Sequence, residues 1–130
     1  MRFSENFPPR RFSVGLGEPL TISDCGRLEL APDEQVTFVT PSGGEFDLTA
    51  KEWGFYATPS LNGRLPRFGL RAVLVRNRLG QYFVLLLESG REENFFDYLE
   101  AERLQIIAWL DSGEALDALA AAMGKARHGA

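Results

Sequence analysis

From Leu20 to Ala50 apolar residues tend to recur at every second position, residues 51–65 keep no clean period, and only towards the C-terminal end does the spacing lengthen to that of helices. Leu20-Thr21-Ile22 begins a short strand that runs into a turn at Ser23-Asp24-Cys25-Gly26, residues suited to special backbone angles. Arg27-Leu28-Glu29-Leu30 alternates until Pro32-Asp33-Glu34 interrupts it. Residues 35–40 place Val36 and Phe38 on one face, with Thr37 and Val39 on the other. After the turn Pro41-Ser42-Gly43-Gly44, the run Glu45-Phe46-Asp47-Leu48-Thr49 puts Phe46 and Leu48 inward and three polar side chains outward. The pattern is that of antiparallel strands with one solvated face.

Residues 68–76 and 81–88 flank Asn77-Arg78-Leu79-Gly80, where Gly80 suits the left-handed position of a hairpin loop. Val73-Leu74-Val75 and residues 82–87 are apolar on both faces and are expected to be central strands covered from both sides. Residues 92–103 read as a helix, with Phe95, Phe96 and Leu99 in one stripe. Glu92, Glu93, Asp97, Glu100 and Glu102 line its remainder, and Arg103 sits at the C-terminal end, where a cation complements the helix dipole. Residues 104–110 return to strand; beside 81–88 that strand would be parallel, joined by a right-handed crossover. Ser112 caps a closing helix with Leu116, Leu119 and Met123 on its apolar side. Residues 1–12, with Pro8-Pro9 and Arg10-Arg11, form an extended arm, and 124–130 a fraying tail. The expected fold is therefore α+β. It is a single domain over residues 13–123, with a mainly antiparallel sheet curled towards a barrel, a helix before the last strand and a C-terminal helix.

Composition supports a folded chain: 130 residues, 45% apolar and 25% charged, suffice for one core without staples. One cysteine, Cys25, cannot close an internal disulfide, which fits a reducing compartment. The N-terminal residues lack an apolar run of signal length, and Phe83-Val84-Leu85-Leu86-Leu87 is far shorter than the ~20 residues that span a bilayer. A cytoplasmic, bacterial protein without membrane association is expected.

Charge changes the picture. The chain carries a net charge of -4, yet between Glu52 and Glu88 there is no carboxylate, while Arg64, Arg67, Arg71, Arg76 and Arg78 all lie there. Twelve arginines against two lysines match GC-rich coding, which does not account for the missing acids. The front of this stretch mixes aromatics with hydrogen-bonding side chains. Trp53 and Tyr56 suit stacking on a sugar or base, and Lys51, Ser60, Asn62 and Thr58 can hydrogen-bond. Arg64 and Arg71 can hold phosphate or carboxylate, and Gly54 and Gly63 allow close approach. The same residues equally suit a protein interface, or a core around Trp53, Phe55 and Leu65 with turns beside it. A half-buried Arg71 requires an acid, and the Glu-rich helix is the natural intramolecular partner. The overall acidity disfavours nucleic acid.

The usual catalytic sets are missing. The single histidine, His128, is near the C-terminus, and with one cysteine there is neither a histidine-based triad nor a zinc set. Gly15-Leu16-Gly17 lacks the third glycine of a phosphate loop. Carboxylate, tyrosine or lysine chemistry remains, from Glu45, Asp47, Lys51, Glu52 or Tyr56. The expected function is a cofactor-free binding or accessory protein, self-associating, that recognises a compact anionic or sugar-like ligand through Lys51, Trp53, Tyr56, Ser60, Asn62, Arg64 and Arg71. The alternatives are a protein–protein or oligomerisation module, and a small isomerase or lyase using Asp47, Lys51 or Tyr56.

Overall fold

The computed structural model describes residues 1–16 and 20–124, and the strands in them pair only antiparallel, in three small sheets not closed into a barrel. The first sheet is a two-stranded ribbon, β1 (Arg2–Val14) with β2 (Leu20–Glu29). The N-terminal segment expected as an arm is thus a paired strand. Ser23-Asp24-Cys25-Gly26 likewise lies inside β2 and forms no turn. The irregularity falls on the opposite strand: Glu5 pairs with Gly26 and Arg10 with Asp24, so 6–9 bow out against Cys25 alone. Pro8 and Pro9 have no N–H to give a ladder, which explains why the bulge is there.

The second sheet runs β3 (Gln35–Val39), β4 (Glu45–Lys51), β5 (Gly54–Ala57), with β4 in the middle. Lys51 pairs with Gly54, leaving Glu52-Trp53 as a two-residue loop, and Gly54 takes φ +143°, a value side chains disfavour. Alternation in β4 is only half followed. Ala50 is buried and Phe46 and Leu48 are half-buried, but Asp47 is buried too, at 6% exposure. The expected outward carboxylate is covered by the chain that follows β5.

The third sheet has the order β7 (Tyr82–Glu88), β6 (Leu70–Arg76), β8 (Gln105–Trp109). β6 is central as its apolar run implies, and Gly80 takes φ +79° in the hairpin. β7 is an edge strand, however, with Tyr82, Phe83, Val84 and Leu86 exposed, so the expected cover on both faces is absent. β8 does not lie beside β7 but pairs antiparallel with β6. Two small cores back onto β6. Val73 and Val75 pack with Leu87, Phe95 and Leu99 on one side; Leu70 and Ala72 pack with Leu65, Phe46 and Leu110 on the other.

Three helices complete the described residues. α1 (Arg64–Arg67) is a single turn that periodicity did not reveal. α2 (Glu92–Glu102) ends on Arg103, which adopts the left-handed angle φ +53°. Its inner stripe is Phe95, Leu99 and Glu102; Phe96 is exposed, and Glu102 lies buried instead of lining the solvent side. α3 (Gly113–Gly124) starts where expected, with the Ala115 N–H donating to Ser112 Oγ at 3.2 Å. Its stripe is not buried: Leu119 and Met123 are 50% and 57% exposed. The expected tail beyond Gly124 lies outside the described residues.

Two polar joints hold these parts. Arg71 on β6 donates from Nε to Asp111 at 2.7 Å and from Nη1 to Glu92 at 3.4 Å, with its guanidinium 4.1 Å from the centre of the Trp109 ring. Glu88, at the end of β7, accepts from the hydroxyls of Ser42 and Thr40 in the β3–β4 turn, and these bonds hold its carboxyl below the ordinary 4.5. Removing the carboxylate in Asp111→Ala is expected to cost about 2 kcal/mol in urea unfolding, because a charge-assisted bond of a half-buried arginine is lost. The Glu88 contribution is present above the unfolded pKa and is lost as pH falls through the lower native value. Glu88→Gln should therefore flatten the loss of stability measured on acidification below about pH 5.

Candidate functional site

The connection after β5 folds on its own hydrogen bonds. Ser60 Oγ accepts the Arg64 N–H at 2.9 Å and the Ser60 carbonyl accepts the Leu65 N–H at 3.0 Å, so Ser60 opens the turn that becomes α1. Leu65, fully buried, pins that turn to β6. Arg64 is thereby aimed back at β4. Its Nη1 lies 3.0 Å from Asp47 Oδ2, its Nη2 donates to Thr58 Oγ1 at 2.9 Å, and its guanidinium sits 5.3 Å from the centre of the Phe68 ring. Thr37, the cross-strand partner of Asp47, donates its hydroxyl to Asp47 Oδ1 at 2.7 Å. Asp47 and Arg64 are neutralised by each other inside the fold.

The other sequence candidates fall into separate places. Lys51 closes an ion pair with Asp33, Trp53 occupies the β4–β5 loop at 72% exposure, and Tyr56 stands on β5 at 50%. Asn62 is exposed, its amide nitrogen close to Gly113 at the start of α3. Arg71 lies in the third sheet, where Asp111 and then Glu92 raise its pKa. Among the further arginines, Arg78 donates to the Leu16 carbonyl at 3.0 Å and Arg76 lies 5.6 Å from the centre of the Tyr82 ring. The structure brings Lys51, Trp53 and Tyr56 onto one hairpin and Ser60, Asn62 and Arg64 onto the next connection. The cationic ends of Lys51, Arg64 and Arg71 all face carboxylates of the protein itself.

Sequence reasoning missed a cavity of about 310 Å³ between the root of the ribbon and the third sheet. Val14, Leu16, Leu20, Phe83, Leu85 and Leu104 form most of its wall, with Asn77, Gln81, Tyr98 and Glu102 as polar members. Glu102 accepts the Leu16 N–H at 3.0 Å. Gly15 makes this possible: it has φ +105°, and a Cβ there would stand 2.7 Å from Glu102 Oε1. The only sequence signal was the Gly15-Leu16-Gly17 spacing, whose third member lies outside the described residues.

Among the described residues no group of three metal-ligating side chains comes together, and no helix is long and apolar enough to cross a membrane. Many large apolar side chains stand on the surface. On the ribbon Phe3, Phe7, Phe12 and Ile22 are exposed; on the second sheet Phe38, Trp53, Phe55 and Tyr56; on β7 Tyr82 and Val84. The idea of a core around Trp53 and Phe55 is corrected by their 72% and 64% exposure; of that trio only Leu65 is buried. No protein-family model matches the chain, and neither a curated protein nor a solved structure matches it.

Arg64→Ala should destabilise the protein by about 3 kcal/mol in urea unfolding, since it strands the buried Asp47 carboxylate. Adding Asp47→Asn to that variant should recover much of the loss, and full additivity of the two would show that the pair is not coupled.

Proposed function

We propose that the protein is a protein–protein interaction and oligomerisation module that does no chemistry of its own. One observation carries the reading. Among the described residues 24 large apolar side chains are exposed, against nine apolar side chains that are buried. Exposed apolar surface on that scale marks an interaction site. Its composition agrees, because Phe, Trp, Tyr and Leu are prominent in it and such aromatics anchor interfaces.

A two-stranded ribbon standing alone is marginal in water. β1 and β2 carry no buried side chain along their length, so a neighbouring chain supplies what the ribbon lacks. The aromatic β4–β5 hairpin, Trp53 with Phe55 and Tyr56, is the second contact surface. Recognition of an anionic or sugar-like small molecule is the other reading, favoured by the exposed rings of Trp53 and Tyr56. It has weaker support, since Arg64 and Arg71 are already paired with Asp47, Asp111 and Glu92.

Sedimentation equilibrium over a dilution series is expected to give a mass of at least twice 14.5 kDa at micromolar concentration. A monomer mass across the series would remove this reading and leave the ligand reading in its place.

A further inference from the structure

Resting on that reading, we infer that two copies join through the free edge of β7, in antiparallel register about Val84, making one continuous six-stranded sheet. The Asn77 N–H donates to the Gln81 carbonyl at 2.9 Å and the Ser89 N–H to the Gly69 carbonyl at 2.9 Å. By the alternation of an antiparallel ladder, the odd-numbered residues of β7 turn their backbone groups towards β6. Tyr82, Val84 and Leu86 turn theirs outward, a row of donors and acceptors whose natural complement is another extended strand.

The edge carries none of the devices that keep sheet edges apart. Residues 82–87 contain no charge, no proline and no glycine. The other edges differ: β1 carries prolines, arginines and a bulge, β2 carries Asp24, Arg27 and Glu29, β3 and β5 are five and four residues long, and β8 is irregular in its pairing with β6. β7 has seven residues in unbroken register. Its even face is 58% exposed at Tyr82, 59% at Val84 and 37% at Leu86.

The occupant is a second copy because the strand complements itself. With Val84 opposite Val84 of the other copy, Tyr82 meets Leu86 and Leu86 meets Tyr82. This is a ladder of aromatic–aliphatic and valine–valine pairs whose side chains pack across the strands. On the opposite face Phe83, 45% exposed, meets Leu85. No like charges oppose one another, and the two-fold relation makes the contact close on itself instead of growing into a fibre.

The test is sedimentation of the full chain as wild type and as Val84→Lys, with far-UV circular dichroism and urea unfolding of each. Val84 is exposed, so the fold should persist, while two lysines brought face to face should raise the dimer dissociation constant at least about a hundredfold. As a check independent of that variant, Val84→Cys in a Cys25→Ser background should form a disulfide-linked dimer under mild oxidation, and Leu79→Cys should not. An unchanged oligomer in Val84→Lys, with no cross-link in the Val84→Cys variant, overturns the β7 contact and leaves the interaction reading standing. A monomeric wild type overturns both.

Discussion

Arg71 is the point on which the third sheet is assembled. It stands on β6, the strand that both small cores share, and its guanidinium reaches Glu92 at the start of α2 and Asp111 just beyond β8. A cation on the most buried strand demands anions, and the two it takes come from the elements that must close over it. Trp109 then covers the guanidinium face, turning one arginine into a joint between strand, helix and neighbouring strand. Asp47 and Arg64 repeat the device on a smaller scale between the second sheet and α1. Two arginines of the acid-free middle of the sequence are thus balanced from both flanks in space: Asp47 lies before it, Glu92 and Asp111 after it.

Much of this was legible in advance and some of it was not, for definite reasons. The hairpin of β6 and β7, helix α2, and strands β3, β4 and β8 each follow from a local repeat. Gly80 in the hairpin and Ser112 at the start of α3 are placed correctly because backbone angle and capping are local matters. Side-chain alternation, however, says which face a residue occupies and is silent on whether anything lies over that face. Hence β7 was expected to be covered although it is an edge, and Asp47 was expected in water although Thr58 and Arg64 lie across it. The ribbon failed for another reason: Pro8-Pro9 and the Ser23–Gly26 run look like breakers. A long bulge opposite Cys25 absorbs the prolines and leaves β2 unbroken.

The candidate site was legible only as a set of residue types. Trp53 and Tyr56 are exposed as a recognition surface requires, yet the arginines meant to accompany them serve the fold. Arg64 and Arg71 are taken up by carboxylates of the fold, while many large apolar side chains stand outward. Those exposed apolar side chains give the association reading its weight.

The slender attachment of the ribbon has a dynamic consequence. Its ties to the rest of the described chain include Leu16 to Glu102, Arg78 to Leu16 and the N-terminal ammonium to Glu34, all at its root or its first residue. No buried side chain along β1 or β2 couples its opening to that of the β6 core. In the isolated chain the ribbon is therefore its own cooperative unit, free to exchange its amide protons at low cost while the β6 ladder stays closed. Slow exchange along β1 and β2 would be a property the chain acquires from its neighbours.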